Sequence, residues 1–233
     1  MTSAGELTPH GQRIAARGLL LVVALLSGCS GDGTPATGSS PAASKMQSSS
    51  SPEPSAPQSS YASKRFVVPF DVAPPSWLNT TPDVEQPNFV TWEAADAPES
   101  PAVRFLMPVS VYRPGERGTT TPPEDYLGYL LSQSKFGAHF TDQTERTVGE
   151  QQATVVTATV DDSLEGSLGC PAADTPVGDC FSLQPDFSLR IAVLKVKNKT
   201  LLIWLRTSTD MDPVEMKAKT QAFEDMLASV RFR

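Results

Sequence analysis

The chain has 233 residues, a formal net charge of −7 and a mean hydropathy of −0.21, with three cysteines and two histidines. This length accommodates one or two domains with a sizeable core. The acidic balance argues against a nucleic-acid partner, because phosphates select clustered Lys and Arg. Two histidines disfavour a multi-histidine metal centre. The mean hydropathy excludes a polytopic membrane protein.

The first residues have the pattern of a signal peptide. Arg13 and Arg17 precede a run of nine residues, Gly18 to Leu26, that is apolar apart from its glycine. Nine helical residues rise about 14 Å, whereas the hydrocarbon layer of a bilayer is about 30 Å thick. The run is therefore too short for a stable transmembrane helix, and it predicts a leader that is removed.

The apolar run ends in Leu26-Ser27-Gly28-Cys29, which resembles the lipobox of bacterial lipoproteins. In that family the cysteine sulfur receives a diacylglycerol, and the leader is cut just before the cysteine. The resemblance implies a signal peptide over residues 1–28, a lipidated and palmitate-bearing Cys29, and a location on the outer face of the cell membrane. Acyl chains would then bury in the membrane in place of the discarded leader. The alternative is an ordinary secretory signal, with another use for Cys29.

Residues 30–63, which follow Cys29, have the composition of a disordered tether. Ser, Pro, Ala, Gly and Thr make up 27 of these 34 residues, and none is Val, Ile, Leu, Phe or Trp. Such a segment has no apolar surface to offset the entropy cost of ordering. A flexible chain of this length spans about 30 Å. We expect a solvated linker, with glycosylation of its hydroxyls as the alternative.

Residues 64–233 hold all of the Trp and Phe residues and predict one globular domain. Thr121-Pro122-Pro123-Glu124 combines an N-cap residue, a first-turn proline and a capping-box glutamate, and so predicts a helix that ends at Gly137. The predicted strands before this helix are Phe66–Val72, Phe89–Glu93 and Val103–Tyr112.

The second half of the domain contains the clearest hairpin of the sequence. Phe187–Val196 and Leu201–Thr207 are joined through Asn198-Lys199, and this turn predicts Val193 opposite Trp204. Both faces of the hairpin are largely apolar. We therefore expect an antiparallel sheet that is covered on both sides, unlike the usual one-sided case.

Three other patterns complete the reading of the second half. Val148-Gly149-Glu150 predicts a turn into the Val- and Thr-rich strand Ala153–Val160. Asp212-Pro213-Val214-Glu215 repeats the cap chemistry and predicts a helix to about Ala228, with a last strand at Val230–Phe232. The predicted order is three strands, a helix, four strands, a helix and a strand. This order indicates an α+β fold, an α/β/α sandwich around an antiparallel sheet.

This order resembles the PsbP-like fold, which includes the LpqN-type lipoproteins of mycobacteria and other actinobacteria. The likeness rests on the helix start Pro123–Leu127, the Val148-Gly149 turn and the helix-to-strand ending Phe223–Val230. It spans most of residues 66–233. PsbP-like domains mostly act as binding or accessory modules, and no catalytic constellation defines them. The resemblance therefore implies interaction more than catalysis.

Cys170 and Cys180 remain as a pair once Cys29 is assigned to the lipid. An even number of cysteines in an oxidising compartment predicts a disulfide. The closed loop would stabilise the fold by about 3 kcal/mol. A thioredoxin-like redox role needs Cys-x-x-Cys, which this spacing does not offer. We predict a structural disulfide, with a regulatory redox pair or free thiols as alternatives.

The sequence offers no convincing catalytic set. His139 is the one histidine after the leader, and a serine hydrolase needs a histidine oriented by a carboxylate. Gly166-Ser167-Leu168-Gly169 lacks the first glycine of a nucleophile elbow, because Glu165 stands there. Ser132 and Lys135 spell Ser-x-x-Lys without the companion motifs of penicillin-binding enzymes. We predict no catalytic residues and a protein that is not an enzyme.

The sequence also predicts no metal site and no cofactor. Asp161, Asp162 and Glu165 could gather at a strand end, but calcium requires six to eight oxygens and no EF-hand spacing supplies them. A solvated acidic turn is the favoured interpretation. No Gly-rich phosphate-binding loop follows any predicted strand.

Four residues are candidates for ligand binding. Arg104, Arg190 and Arg206 each lie within an otherwise apolar strand. Their stems can cover apolar surface, or they can pair with acidic neighbours. Alternatively, one or more of them face a pocket and hold an anionic ligand. Trp77, in a proline-bounded loop, is either an exposed binding aromatic or a plug that closes the sandwich.

The leading functional prediction is a membrane-anchored, extracytoplasmic lipoprotein with a non-catalytic binding or accessory domain. Its expected partners are the membrane, through the lipid on Cys29, and an envelope protein or small ligand. The second hypothesis is a carrier or sensor of a small or lipidic ligand between the layers. The third is a cell-envelope hydrolase.

The substitution Cys29→Ala tests the anchor. The variant is expected to lose acyl labelling and to leave the membrane fraction, because the lipid would be the attachment. Metabolic labelling with a palmitate analogue, followed by membrane fractionation, measures both effects. Acyl labelling that persists in the variant would refute the lipobox assignment.

Overall fold

The structure is a computed structural model that describes residues 59–94 and 101–233. The predicted leader, Cys29 and the tether as far as residue 58 lie outside the described residues. Within the described part, no helix has both the length and the hydropathy needed to cross a membrane. The elements in chain order are β1 (Tyr61–Ala62), β2 (Phe70–Val72), β3 (Val84–Gln86), β4 (Phe89–Glu93), β5 (Ala102–Leu106), α1 (Tyr126–Ser132), β6 (Ala138–Val148), β7 (Gln151–Val160), β8 (Leu164–Gly169), β9 (Phe181–Leu183), β10 (Phe187–Val196), β11 (Lys199–Ser208), α2 (Pro213–Ser229) and β12 (Arg231–Phe232).

A seven-stranded antiparallel sheet lies at the centre, with the strand order β3-β4-β5-β11-β10-β7-β6. Two smaller sheets accompany it, β1-β2-β12 and β8-β9. Short 3-10 helices at Gln133–Phe136 and Val177–Asp179 complete the described elements.

The hairpin β10–β11 forms the middle of the large sheet, but its turn differs from the predicted one. The turn residues are Lys197 and Asn198, with φ angles of 51° and 63°, which is the conformation of a two-residue type I′ turn. Val193 therefore pairs with Leu202 and not with Trp204, so the predicted register is wrong by two residues. A shift of two residues leaves each side chain on its predicted face.

Both faces of this hairpin are buried, as predicted. On one face, sheet residues pack with residues of α2 and the β1-β2-β12 sheet, in a core that includes Phe70, Ala192, Ile203, Phe223 and Leu227. On the other face, they pack with α1 and the β8-β9 pair, in a core that includes Tyr126, Leu130, Leu168, Ile191 and Trp204. The predicted α+β class and the α/β/α arrangement are therefore confirmed.

The first helix begins later than predicted. Its N-cap is Asp125, whose Oδ1 accepts a hydrogen bond from Gly128 N at 2.8 Å, so the predicted start at Thr121 is wrong. Thr121 and Pro122 each precede a proline, and a residue in that position is disfavoured in helical conformation. Gly137, with a φ of 96°, ends the following 3-10 turn as predicted.

The last helix matches the prediction closely. Asp212 is its N-cap and accepts hydrogen bonds from Val214 N at 2.9 Å and Glu215 N at 3.2 Å. Pro213 occupies the first turn, where its missing N–H costs nothing. The helix runs to Ser229 and leads directly into β12.

Two early strands are shorter than predicted, and five strands, β1, β3, β6, β8 and β9, correspond to no predicted range. Prolines at 69 and 108 limit β2 and β5, because proline donates no ladder hydrogen bond. The long strand β6 was not predicted, since most of its side chains are exposed and carry no apolar alternation. It is one of the two edge strands of the large sheet, and β3 is the other.

The folded chain begins before the expected boundary at Lys64. Tyr61 is buried, and β1 pairs with β2. Just after it, Glu85 Oε1 accepts backbone N–H hydrogen bonds from Lys64 at 2.6 Å, Arg65 at 2.8 Å and Phe66 at 3.3 Å. One carboxylate thus ties this segment to β3.

Arg190 on β10 connects three elements on the α2 side of the sheet. It donates five hydrogen bonds, which reach Glu224 on α2, Thr157 on β7, and Asp142 O and Thr144 Oγ1 on β6. Asp142 has a φ of 51° and lies in the β-bulge of β6. The Arg190 guanidinium therefore binds the Asp142 carbonyl, which lies where the bulge interrupts the pairing of β6 with β7.

The substitution Glu85→Gln tests the attachment of the N-terminal segment. Partial burial by itself raises the pKa of Glu85. Hydrogen bonds from the backbone N–H of Arg65 and from the other donors lower it by more, so the pKa lies below the ordinary Glu value. A lowered pKa stabilises the fold above the ordinary Glu value of about 4.3, and this contribution is lost as the pH falls through the folded pKa. We expect a loss of about 1 kcal/mol in unfolding free energy at pH 7.

Urea unfolding at pH 7 and pH 3 measures this effect, and the deficit of the variant should shrink at pH 3. Exposed Glu165, for which no side-chain hydrogen bond is observed, provides the matched control Glu165→Gln. An equal deficit at both pH values would contradict the assigned role of the carboxylate.

The substitution Arg190→Leu tests the link between strands and helix. The side chain of Arg190 is 10% exposed and that of Glu224 is 17% exposed. The variant therefore leaves the largely buried Glu224 carboxylate without its closest partner. We expect a loss of about 3–5 kcal/mol. Arg146→Leu is the control, since Arg146 also contacts Glu224, at 3.4 Å, but is 51% exposed. Its expected cost is about 1 kcal/mol or less, and equal losses in the two variants would contradict the prediction.

Candidate functional site

The three strand arginines do not lie together. Arg104 on β5 is paired directly with Trp204 on β11, and Arg206 follows two residues later on β11. Arg104 and Arg206 therefore share the α1 side of the large sheet. Arg190 lies on the opposite side, where its hydrogen bonds to Glu224 and β6 engage it within the protein.

Arg104 and Arg206 line a small cavity between the large sheet and β9, which we call the arginine pocket. Its volume is about 90 Å³. Its walls include Arg104, Arg206, Phe181, Gln184, Phe187 and Trp204. Leu168 and Trp204 on its walls belong to the buried core, so the pocket is an indentation in the packed face of the sheet.

Aromatic rings hold both guanidinium groups in the arginine pocket. The Arg104 guanidinium lies 5.6 Å from the ring centre of Phe181, and the Arg206 guanidinium lies 4.6 Å from that of Phe187. Contacts of this kind stabilise a cation over the face of a ring. They also fix the orientation of the planar guanidinium group.

Two arginines, Arg104 and Arg206, line the pocket. Burial lowers the pKa of Arg206, the neighbouring Arg104 lowers it further, and Glu93 acts in the opposite direction. Arg104 Nη2 lies 2.9 Å from Glu93 Oε1, and its Nε donates to Thr91 Oγ1 at 3.3 Å. Arg206 also has a further interaction within the chain.

Trp77 lies at the other side of the molecule, half-buried against the core formed with α2. Lys219 Nζ lies 4.5 Å from the centre of its ring. This contact covers the indole. The structure does not bring Trp77 together with any of the three strand arginines.

The predicted disulfide between Cys170 and Cys180 is present. It connects the end of β8 to the start of β9, and both cysteines are buried. Cys180 and Phe181 contribute to the wall of the arginine pocket. The bridge therefore holds one wall of that pocket in place.

The residues weighed for catalysis do not assemble into a recognised site. His139 Nε2 lies 2.9 Å from Asp161 Oδ2 at the exposed surface of β6. Ser132 Oγ donates to Tyr129 O, and Ser167 Oγ accepts from Leu183 N. Among the described residues, no group of three or more His, Cys, Asp or Glu side chains is placed to hold a metal ion.

A larger cleft, which the sequence did not predict, opens between the start of α1 and the turn end of the hairpin. Its volume is about 860 Å³. Tyr126, Leu127 and Val193 supply apolar lining. The ionisable residues that line it are four acids and one lysine, namely Glu124, Asp125, Glu145, Glu150 and Lys195. We call this feature the acidic cleft.

The acidic cleft combines residues from three distant parts of the chain. Glu145 on β6 is held by a hydrogen bond from Thr154 Oγ1 at 2.9 Å. Glu150 follows in the β6–β7 turn, and Asp125 caps α1. The sequence did not reveal this cleft because strand β6 was not predicted. Only the pairing of β6 with β7 places these carboxylates beside the helix start.

No family model and no curated protein matches the chain. Several solved structures are similar to it at low identity. The solution structure of the cyanobacterial PsbP of Synechocystis is 11% identical, with 78% of this chain and 98% of that chain covered and a TM-score of 0.41. The protein of unknown function PA94 from Pseudomonas aeruginosa is 14% identical, with coverages of 61% and 85% and a TM-score of 0.35.

A third is the Ran-binding protein Mog1p of Saccharomyces cerevisiae, 8% identical, with coverages of 70% and 89% and a TM-score of 0.35. The lipobox and the LpqN-type likeness stay predictions from the sequence, and the fold class, an α+β domain around an antiparallel sheet, rests on the strand order described above.

Proposed function

We propose that the protein is an extracytoplasmic lipoprotein, anchored through Cys29, whose domain is a non-catalytic binding module. The observation that carries the proposal is the acidic cleft. Its expected occupant is a basic, extended segment of an envelope protein. The signal peptide pattern and the lipobox support the location.

Charge complementarity argues for a basic occupant. Four carboxylates and one ammonium group line the acidic cleft, which leaves its lining acidic at neutral pH. Complementary charge steers a partner and selects against the wrong one more than it adds affinity. The domain as a whole is acidic as well, so the field at the cleft adds to that of the surrounding surface.

The size and lining of the cleft also suit a peptide segment. A volume of about 860 Å³ lies in the range of ligand-binding clefts, which is about 300–1,000 Å³. Leu127 and Val193 supply apolar contacts beside the carboxylates. An occupant with alternating basic and apolar side chains would satisfy both kinds of surface.

The carrier hypothesis is supported only for a ligand as small as one polar group, and not for a whole lipid. The arginine pocket has a volume of about 90 Å³, well below that of a cleft for a whole lipid. It is large enough for one small polar group. A hydrolase has less support, because His139 pairs with exposed Asp161 and no nucleophile is observed in hydrogen-bond contact with that pair in the described part.

Site-specific photocrosslinking in intact cells tests the proposal. A photoreactive residue at Gln152, in the acidic cleft, is expected to crosslink a distinct partner peptide rich in Lys or Arg, identified by mass spectrometry. The same residue at exposed Lys217, on α2, is the positional control. The charge reversals Glu145→Lys and Glu150→Lys together should lower the crosslink yield about tenfold, since they reverse the attraction.

A matched charge reversal outside the cleft, Glu116→Lys with Asp174→Lys, should leave the yield unchanged. Crosslinked peptides without basic residues would contradict the proposal. A yield that does not respond to the cleft reversals would contradict it too, as would turnover of a substrate by the purified protein.

A further inference from the structure

We propose that the basic segment expected in the acidic cleft binds as an extra strand of the large sheet, paired with the edge strand β6. This inference rests on the proposed function and deepens it, because it assigns the backbone contacts and the side-chain pattern of the partner. The partner is a short extended segment of another protein, with basic residues at alternate positions.

The first argument is that one stretch of β6 has a free edge. β6 pairs with β7, and in the described part of the chain no strand pairs with its other side. The pairing is regular over Thr144–Val148, and the three central residues of this stretch are exposed. The bulge at Asp142 ends the regular stretch, and Arg190 binds the Asp142 carbonyl. An added strand therefore has Thr144–Val148 to pair with.

The second argument identifies the backbone groups that point out of the sheet. The β6–β7 turn is of type I′, with φ angles of 54° at Gly149 and 66° at Glu150. Val148, just before the turn, therefore exchanges backbone hydrogen bonds with its partner on β7. Hydrogen-bonded and non-hydrogen-bonded pairs alternate along an antiparallel ladder. The N–H and C=O groups of Glu145 and Thr147 consequently point away from β7, toward an added strand.

The third argument is that the same two residues direct their side chains to the cleft side of the sheet. Glu145 is opposite Thr154 on β7, and Thr154 is opposite Val193 on β10. Directly opposite residues share a face, and Val193 belongs to the core on the α1 side. Thr147, two residues after Glu145, shares that face. A basic side chain opposite Glu145 would therefore reach the carboxylates of the acidic cleft.

The fourth argument concerns the other face, which selects against a uniformly basic partner. Arg146 lies on the α2 side, 51% exposed, with its Nε 3.4 Å from Glu224 Oε2. Its Nη1 donates to Glu145 O at 3.3 Å, so its positive charge lies at the free edge. A basic residue opposite Arg146 would be repelled, whereas an apolar residue can pack on the arginine stem. The partner therefore alternates basic residues with apolar or neutral ones.

A second copy of this chain is the other strand that such an edge could take, because exposed edges can pair with each other. Antiparallel pairing of two copies through β6 would bring two acidic clefts together on one face of the joined sheet. Like charges in that arrangement are destabilising. The charge of the cleft therefore favours a basic partner over a second copy.

The experiment uses the full-length protein in detergent and, as the probe, a capped hexapeptide of alternating Lys and Val. Amide hydrogen exchange, followed by NMR of ¹⁵N-labelled protein, reports which N–H groups the peptide covers. We expect the peptide to slow exchange at Glu145 and Thr147 about tenfold or more. Exchange at Arg146, whose N–H belongs to the ladder with β7, should be slow in the free protein and change little.

Two N-methylated forms of the peptide separate strand pairing from charge attraction. One form is methylated at the backbone nitrogens of its lysines and the other at those of its valines, so their charges are equal. Alternate N–H groups of an added strand point toward β6, so one form should bind about tenfold more weakly than the other. The lysine-methylated form is the weaker one for an antiparallel strand, and the valine-methylated form for a parallel strand.

Two variants of the protein test the edge itself. Thr147→Pro removes an N–H that points out of the sheet, a position where an edge strand accepts proline. Thr147→Ala removes the side chain but keeps that N–H. The affinity for the peptide should be about tenfold lower in Thr147→Pro than in Thr147→Ala. Melting temperatures establish that both variants are folded, and the methylated peptides test the same hydrogen bonds without any substitution.

The inference is wrong if the peptide shifts the NMR signal of Gln152 in the cleft without slowing exchange at Glu145 and Thr147. That result leaves the proposed function intact. The inference is also wrong if the two methylated forms bind equally, or if hexalysine, which has more charge, binds more tightly than the alternating peptide. A free protein that is a dimer with these two amides already protected would overturn it too. If the peptide does not bind, strand addition is wrong, and the photocrosslinking from Gln152 decides the proposed function independently.

Discussion

The hairpin formed by β10 and β11 is apolar on both faces, and this constraint organises the rest of the domain. An apolar sheet face left in water would cost about 25 cal/mol for each Å² exposed. Helix α2 and the β1-β2-β12 sheet cover one face, and α1 with the β8-β9 pair covers the other. The disulfide between Cys170 and Cys180 secures the second cover, which has the shorter helix. Both candidate sites lie on that second face, at the margins of its cover.

The strand arginines show how the neighbours of a residue decide its role. Arg190 lies beside a bulged edge strand and a helix that carries Glu224, so its donors are taken up by the protein itself. Arg104 and Arg206 lie instead among aromatic rings beside a cavity. Three residues with the same sequence signal thus have a structural role in one case and a candidate ligand-binding role in the other two. The difference follows from which elements lie over each side of the sheet.

Much of the fold could be predicted because local chemistry and global packing agree. The Asp212 cap, the disulfide and the two apolar faces follow from residue types and spacing alone. The turn at Lys197 and Asn198 could not be placed, since it depends on two consecutive residues with positive φ where neither is glycine. Strand β6 was missed because an edge strand with mostly exposed side chains has no apolar period. The sequence identified the arginines but not the arginine pocket that they line, and it did not identify the acidic cleft. Both cavities depend on pairings between distant strands, which the sequence did not reveal.

The two candidate sites lie on one face of the same hairpin, with opposite charge and a packed core between them. The acidic cleft contacts Val193 and Lys195 near the turn, and the arginine pocket contacts Leu189 and Arg206 near the other end. Lys195 is six positions after Leu189 along β10, which corresponds to about 20 Å in an extended strand. At that separation, exposed charges are largely screened from each other at physiological ionic strength. A substitution in one of these two places should therefore leave the other intact.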